Sequence, residues 1–276
     1  MNFKPPKTPA VYVKDKSFRL AAVDPDDITP FKYGPDDKQE ASPRLLVLRK
    51  RLSELQELLY AEHTRSLLIV LQAMDTGGKD GAIENLLTGV NPAGVHVASF
   101  KAPSVEELKH DFLWRVHPQV PKKGHIGVFN RSHYEDVVIT RVHGLVDEKT
   151  WKQRYRDINH FEELLTHSGT TVLKFFLHIS KAEQAVRLQA RLDDPSKTWK
   201  FDPNDLKERA HWAEYQEAYE DAFRHCSSGD APWFVVPANQ KWARDLAITE
   251  IVVAALEEMN PKPPKVKFDP KKIVIE

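Results

Sequence analysis

The chain has 276 residues, of which 41% are apolar and 29% charged, and its 40 basic and 40 acidic residues cancel. This composition is typical of a folded globular protein and gives no general argument for binding to nucleic acid or to an anionic membrane. The single cysteine, Cys226, excludes a disulfide within the chain and a multi-cysteine zinc site. The polar N-terminus lacks the apolar core of a signal peptide, and no apolar run approaches the ~20 residues that span a bilayer. We therefore expect a cytoplasmic protein with no membrane or nucleic-acid partner.

Residues 1–43 are rich in proline and charge, and we predict an extended arm on the domain surface that apolar residues anchor: Phe3, Val11, Val13, Phe18 and Phe31. Apolar positions at helical spacing predict a helix over 45–60. Strand and helix signals then alternate. The predicted strands are 67–72, 95–100, 125–130, 171–179 and 233–238. The predicted helices are 79–88, 104–117, 132–141, 148–167, 181–192, 204–226 and 241–258.

Alternating strands and helices predict an α/β fold, a three-layer sandwich in which helices cover both faces of a mainly parallel central sheet. Two helix starts carry capping signals: Ser104 with Glu107, and Asp202 before Pro203. The tail, residues 260–276, is rich in proline and lysine and ends in apolar residues. It is either a disordered basic tail or an arm that packs on a neighbouring molecule.

The segment LLIVLQAMDTGGKDG, residues 67–81, joins an apolar strand to a helix through a loop that carries Lys79 among glycines. Backbone N–H groups at a helix N-terminus, together with a lysine, are typical of a phosphate site. Compared with the pattern G-x-x-x-x-G-K-[ST], Ala73 replaces the first glycine, and Asp80 replaces the hydroxyl that normally holds magnesium. Asp75 is the candidate that replaces this hydroxyl. The alternative is a turn that needs its glycines for backbone reasons alone.

A second polar cluster, Asn130, Arg131, Ser132, Glu135 and Asp136, follows an apolar strand. In P-loop enzymes an acidic residue at the end of this strand binds magnesium directly or through water. Asn130 stands at that place here, and Glu135 is the nearest acid. A capped helix start, with Ser132 as N-cap, is an alternative that is compatible with the metal role.

Basic residues cluster at Arg187, Arg191, Lys197 and Lys200. Arg187 and Arg191 share one helix face, and the residues after them are loop-like. A mobile segment with these charges would act as a lid that excludes water and neutralises a transferring phosphoryl group. A solvated charged surface is the alternative. Lys101 follows the second predicted strand, at the carboxyl edge of the sheet, and is either a phosphate ligand or an ordinary surface lysine.

Taken together, these motifs resemble the second family of polyphosphate kinases. The resemblance covers roughly residues 40–260 and rests on MDTGGKDG (74–81), FKAPS (100–104), NRSHYEDV (130–137), SKTWKF (196–201) and APWFVVPA (231–238). GGKDG followed by NRSHYE is similar to the branch that acts on AMP as well as ADP. The ADP-preferring branch more usually has DRS at 130–132, so the asparagine here favours Asp75 and Glu135 as metal ligands.

The resemblance implies a single P-loop kinase-like domain over 1–276, with a helical lid at about 187–203. It implies reversible transfer of a terminal phosphoryl group from inorganic polyphosphate to AMP or ADP, with Mg²⁺ or Mn²⁺, in a homodimer or homotetramer. The expected catalytic residues are Asp75, Lys79, Arg131 and Glu135, with Asp75 and Glu135 as metal ligands. The expected phosphate-binding residues are Gly77, Gly78, Lys79, Asp80, Gly81, Lys101, Arg187, Arg191 and Lys200.

Two other functions are compatible with the sequence. One is an ATP-dependent nucleotide or nucleoside kinase of the same fold, which activity with polyphosphate and AMP in the absence of ATP would separate. The other is a non-catalytic module that binds nucleotides or polyanions. The acidic pair Asp75 and Glu135 argues against the second, because carboxylates beside phosphates need a metal ion to offset the repulsion.

Overall fold

Six strands form one sheet in the order β1-β6-β5-β2-β4-β3 in the computed structural model, which describes residues 4–32, 36–269 and 272–275. The strands are Val11–Tyr12 (β1), Ser66–Ala73 (β2), Val95–Ser99 (β3), Ile126–Asn130 (β4), Thr170–His178 (β5) and Trp233–Pro237 (β6). Strands β2 to β6 are parallel, and β1 pairs antiparallel with β6. Every residue of the central strand β2 is buried, as its continuous apolar run predicts for a strand covered on both faces.

Helices cover both faces of this sheet. They are Asp37–Glu62 (α1), Lys79–Leu87 (α2), Glu135–Val142 (α3), Glu148–His167 (α4), Lys181–Asp193 (α5), Asn204–Ala210 (α6), Trp212–Cys226 (α7) and Lys241–Met259 (α8). Leu67, Ile69 and Leu71 of β2 join the apolar cluster of α1, α2 and α8, whereas Leu68 and Val70 join the cluster of α3, α4 and α7. This alternation follows from the two-residue repeat of a strand. The predicted three-layer α/β sandwich is confirmed.

The prediction of a helix over 104–117 is wrong. The capping box is present, because Ser104 N donates to Glu107 Oε2 at 2.6 Å and Glu107 N donates to Ser104 Oγ at 3.2 Å. It opens only a 3-10 turn at Glu107–Lys109. The Asp111 carboxylate then accepts from Leu113 N at 3.0 Å, a local bond that competes with helix formation. Local capping signals therefore identified a turn and not a helix.

Two other predicted boundaries also differ from the structure. The helix over 204–226 is two helices, interrupted at His211, and the apolar spacing continues across the break and so could not reveal it. Helix α1 begins at Asp37, eight residues before the prediction, with Asp36 Oδ1 accepting from Gln39 N at 3.0 Å. Its first turns are mostly exposed and so lack an apolar pattern. The arm is correspondingly shorter than 1–43.

The N-terminal arm contributes β1, a two-residue strand that was not predicted. Val13 and Phe31 are buried, Phe18 packs partly against the core, and Val11 is exposed, while Phe3 lies outside the described residues. In the tail, the described residues beyond Pro261 are exposed. No helix in the described parts of the chain is long and apolar enough to cross a membrane.

A buried ion pair joins β5 to α4 beneath the start of α3. The Lys174 ammonium is fully buried and donates to Glu162 Oε2, to the Tyr134 hydroxyl at 2.9 Å and to the Cys226 carbonyl. These three acceptors use all three donors of a lysine. Because Tyr134 directly precedes Glu135, the pair fixes the segment that leads into α3.

We predict that Lys174→Met lowers the free energy of unfolding by about 3–5 kcal/mol, because it leaves the buried Glu162 carboxylate without its partner. Adding Glu162→Gln should recover about 1 kcal/mol or more, since the unpaired charge is then gone. The matched control is Lys152→Met, which breaks an exposed pair with Glu148 and should cost at most about 1 kcal/mol. Urea denaturation, monitored by circular dichroism, measures the free energy of unfolding of the three variants. A double variant less stable than Lys174→Met would contradict this account.

Candidate active site

The carboxyl ends of the parallel strands meet at a cavity of ≈ 740 Å³. Its wall includes residues 75–81 after β2, residues 99–102 after β3, residues 130–131 after β4, and residues of α5 and α8. Ligands of parallel α/β sheets bind at this edge, because the loops that leave the strands surround it. The two sequence motifs that follow β2 and β4 are therefore brought together.

The loop after β2 ends at Gly78, which is the N-cap of α2. Gly78 has φ +95°, and a Cβ atom at this position would lie 2.4 Å from Arg244 Nη1. Glycine is thus required twice, for its backbone angle and for the close approach of a guanidinium. Thr76 has φ +62°, which is uncommon for a residue with a β-branched side chain.

Four consecutive N–H groups at the start of α2, from Gly78 to Gly81, have no protein acceptor among the described residues. They form the anion-binding end that a helix N-terminus offers. The N–H of Gly77 differs, because it donates to the Met74 carbonyl at 2.9 Å. It is not free for phosphate in this conformation, contrary to the expectation that the N–H groups from Gly77 onwards all serve.

Lys79 lies at the base of the cavity and is 9% exposed. Its ammonium donates to the Ala73 carbonyl at 3.2 Å. Burial, followed by the charge of Arg131, lowers the pKa of Lys79. An ammonium that has lost water and lies near another cation is stabilised when an anion enters.

Arg131 links the two predicted metal-binding carboxylates. Its Nη2 lies 2.8 Å from Asp75 Oδ1, and its Nη1 lies 3.8 Å from Glu135 Oε2. Burial raises the pKa of Glu135, against the opposing charges of Arg131 and Lys79. The structure therefore brings the four residues expected to be catalytic into one cluster. The alternative in which Ser132 is the N-cap of α3 is wrong, because its Oγ accepts from Tyr134 N at 3.2 Å and not from Glu135.

Asp75 and Glu135 fit a hard divalent cation. Their donor atoms are carboxylate oxygens, which Mg²⁺ and Mn²⁺ prefer. Within the described ranges no group of three or more His, Cys, Asp or Glu side chains could hold a metal ion. Mg²⁺ is commonly held by one or two carboxylates with phosphate oxygens and water, so two are sufficient. Asp80, where the usual motif has a hydroxyl, accepts from Asn130 Nδ2 at 2.6 Å.

The predicted lid residues have different surroundings. Arg187 lies within α5, is 9% exposed, and its guanidinium contacts the loop after β2. Arg191, one turn later, donates to the Lys200 carbonyl at 2.9 Å and to Asp205 Oδ2 at 3.1 Å. Lys101, Arg191, Lys197 and Lys200 all line the cavity. The lid itself stays a prediction.

Three cavity residues on α8 were missed from the sequence: Lys241, Arg244 and Asp245. They follow β6, so the rule that located the other site residues also applies to them. Arg244 is 2% exposed and pairs with Asp245, whose Oδ1 lies 2.6 Å from its Nη2. Burial lowers the pKa of Lys241, and the charges of Arg187 and Arg244 lower it further.

Comparison with known proteins identifies the family of this chain. The family model described as "Polyphosphate kinase 2 (PPK2)" matches residues 35–264, which is most of the chain. The chain belongs to the polyphosphate kinase 2 family. The resemblance expected from the sequence is confirmed, over nearly the same residues.

Three of the proteins that this chain is similar to match it along almost their whole length. A relative from Meiothermus ruber, named "AMP/ADP-polyphosphate phosphotransferase", is 53% identical over 95% of this chain and 97% of its own. One from Rhodopseudomonas palustris, named "ADP-polyphosphate phosphotransferase", is 42% identical over 90% and 91%. The crystal structure of polyphosphate kinase 2 from Arthrobacter aurescens superposes with a TM-score of 0.88 at 45% identity, over 95% and 96% of the two chains.

We predict that Gly78→Ala weakens binding of short-chain polyphosphate by at least about tenfold, because the added methyl group displaces the Arg244 guanidinium and the N–H groups beside it. The matched control is Gly89→Ala, which also has a positive φ, +81°, but has nothing within 4 Å of the new Cβ atom. It should lose about 1–2 kcal/mol of stability and keep its affinity. Isothermal titration calorimetry and thermal unfolding measure the two effects. Equal affinities for both variants would refute the prediction.

Proposed function

We propose that this chain transfers the terminal phosphoryl group of inorganic polyphosphate to AMP or ADP, reversibly and with Mg²⁺ or Mn²⁺. The relatives from Meiothermus ruber and Rhodopseudomonas palustris are named as phosphotransferases that act on polyphosphate with AMP/ADP and with ADP, respectively. The observation that carries the proposal for this chain is the charge of the cavity. Nine of its described lining residues are Lys or Arg and five are Asp, in a chain whose total formal charge is zero.

The order of the strands spreads this positive charge across the sheet. Lys241 follows β6, Arg191 lies on the helix after β5, Lys79 follows β2, Arg131 follows β4 and Lys101 follows β3. Neighbouring strands lie about 4.8 Å apart, so five adjacent strands extend over about 19 Å. A row of cations of this length suits an extended polyanion together with a second phosphate compound.

The loop lies in the middle of this row, where the transferred group would sit. We assign the donor chain to the side of α5 and α8, where Arg191, Lys200 and Lys241 can neutralise successive phosphates. We assign the acceptor nucleotide to the opposite side, with its phosphate at Arg131 and Lys101. Cations on both sides of the loop support two anionic substrates that meet end to end.

The chemistry needs no covalent participation by the protein. An oxygen of the acceptor phosphate forms a bond to the terminal phosphorus, and the bond to the bridging oxygen breaks, so the shortened polyphosphate leaves with that oxygen. Lys79 and the free N–H groups from Gly78 to Gly81 would stabilise the charge on the transferring group. Positioning and charge neutralisation together supply the rate enhancement.

Asp75 and Glu135 would hold the divalent cation, which neutralises charge on the phosphate oxygens when bound. Arg131, now paired with both carboxylates, would then be free to bind the acceptor phosphate. The same carboxylates would be repelled by the substrates in a cation-free site. We also propose that the protein is a homodimer or homotetramer, which the molar mass in solution tests.

The direct test mixes the purified protein with magnesium, polyphosphate and AMP, without ATP, and separates the nucleotides over time. We expect ADP and then ATP. Lys79→Ala and Asp75→Asn should each lower turnover by at least ~100-fold without loss of folding, because the first removes a cation beside the transferring group and the second removes a proposed ligand of the divalent cation. If folded wild-type protein formed no product, the proposal would be refuted. Transfer that occurs only with ATP as the donor would favour the ATP-dependent kinase. Wild-type rates in both variants would refute the site assignment.

Removal of divalent cations should abolish the reaction. We expect EDTA to lower turnover by at least ~100-fold, and added Mg²⁺ or Mn²⁺ to restore it. Because polyphosphate itself binds divalent cations, the concentration of free cation is held constant while the polyphosphate concentration is varied. Full turnover in EDTA would contradict the role of Asp75 and Glu135.

A further inference from the structure

The loop after β2 has every backbone carbonyl from Ala73 to Gly78 bonded to a donor. Two of these bonds are local: Met74 O accepts from Gly77 N, and Ala73 O accepts from the Lys79 ammonium. The four carbonyls from Asp75 to Gly78 accept from side chains of two helices that are distant in sequence, and Gly78 O also accepts from Ala82 N at 3.0 Å. We call these side chains, Gln184, Arg187 and Arg244, the loop clamp.

Arg187 bonds two of the four carbonyls that the loop clamp holds. Its Nη1 donates to the carbonyls of Thr76 at 3.2 Å and Gly77 at 3.1 Å. Its Nη2 donates to the carbonyls of Ala238 at 2.6 Å and Asn239 at 3.2 Å, and its Nε donates to Glu183 Oε1 at 2.7 Å. An arginine has five N–H donors, so all of them are used within the protein. In this conformation none is left for a phosphate oxygen.

The two other members complete the set. Gln184 is 1% exposed and donates to the Asp75 carbonyl at 2.9 Å, while its side-chain oxygen accepts from Arg209 at 2.9 Å. Arg244 donates to the Gly78 carbonyl at 3.2 Å and is paired with Asp245. The carboxylates of Glu183 and Asp245 allow two guanidinium groups to converge on one glycine.

The planarity of the peptide bond connects these contacts to the phosphate site. In a trans peptide, the C=O of one residue and the N–H of the next point in opposite directions. Fixing the Gly77 carbonyl towards Arg187 therefore directs the N–H of Gly78 away from Arg187. The Gly78 carbonyl is held by Arg244 and by the Ala82 N–H of α2, and the N–H of Lys79 therefore points away from both. A reversed peptide would present a carbonyl oxygen, which repels phosphate.

We propose that Gln184, Arg187 and Arg244 are positioning residues that orient the loop peptides, and that Arg187 acts through the loop and is not a polyphosphate ligand. The expected loss of activity rests on the proposed function, whereas the expected change in the loop rests on the hydrogen bonds alone. This positioning role revises the role that the sequence suggested for Arg187. Arg187, which contacts the loop, and Arg191 lie one turn apart on α5, so this helix also couples the loop to Arg191.

The decisive variant is Arg187→Lys, which keeps the positive charge but has three donors in place of five and lacks the planar fork. We expect hydrogen exchange at the Gly77 amide to accelerate at least about tenfold, since its bond to Met74 O opens when the loop peptides rotate. We expect kcat to fall at least about 30-fold while KM for polyphosphate changes less than about threefold. The dependence of KM on salt should stay that of wild type, because no phosphate contact is lost.

A second variant, Gln184→Glu, tests the clamp at a residue too buried to contact substrate. The carboxylate still accepts from Arg209 but cannot donate to the Asp75 carbonyl. We expect kcat to fall at least about fivefold, again with KM little changed. Matched controls carry the same substitutions on exposed side chains outside the cavity and the predicted lid: Gln153→Glu and Arg156→Lys, both on α4 and both with wild-type kinetics. Thermal unfolding shows that each variant is folded.

The outcomes separate the two roles of Arg187. If Arg187→Lys raised KM at an unchanged kcat and reduced the salt dependence, Arg187 would be a direct ligand and the proposal would be overturned. Wild-type exchange at Gly77 in the folded variant would also overturn it. If wild-type protein formed no product from polyphosphate and AMP, the proposed function would fail, and the exchange measurement would still decide whether the clamp exists.

Discussion

The orientation of the peptide groups between Ala73 and Lys79 is the constraint on which the rest of the site depends. The buried apolar strand β2 ends at Ala73 and helix α2 begins at Lys79, so only five residues connect them. Every carbonyl of the loop is bonded to protein, and four successive N–H groups are left for an anion. In the proposed function, Lys79, Asp75 and the substrates act together only if this arrangement holds.

The second feature is the local concentration of charge in a neutral chain. Five parallel strands end at the same edge of the sheet, and a basic residue lies close to the end of each. The cations are kept apart by carboxylates and carbonyls, as with Glu183 beside Arg187 and Asp245 beside Arg244. This pairing reduces the repulsion between the cations in the absence of a ligand, and the remaining positive charge attracts a polyanion.

Much of this was predictable from the sequence, and the failures have physical causes. The apolar runs and helical spacing gave five of the six strands and the layer order, because burial imposes those periods on the chain. The motifs after β2 and β4 located Asp75, Lys79, Arg131 and Glu135. The prediction of a helix over 104–117 was wrong because a capping box stabilises a single turn as readily as a helix start.

The loop clamp could not be predicted, because it depends on side chains more than 100 residues from the loop. Nothing in the spacing of Arg187 distinguishes a guanidinium that faces phosphate from one that faces carbonyls. Arg244 and Lys241 could have been found, since β6 was predicted and they follow it. Contacts across the fold, and not local patterns, decide which basic residues bind and which position others.

The central claim is that the phosphoryl group passes directly from polyphosphate to the nucleotide at the loop after β2. The most direct measurement uses polyphosphate labelled with ³²P at its terminal phosphate in a single turnover with AMP and magnesium. The account predicts that the label appears in the β-phosphate of ADP, at the rate of product formation. Label released as inorganic phosphate, with none in the nucleotide, would contradict it.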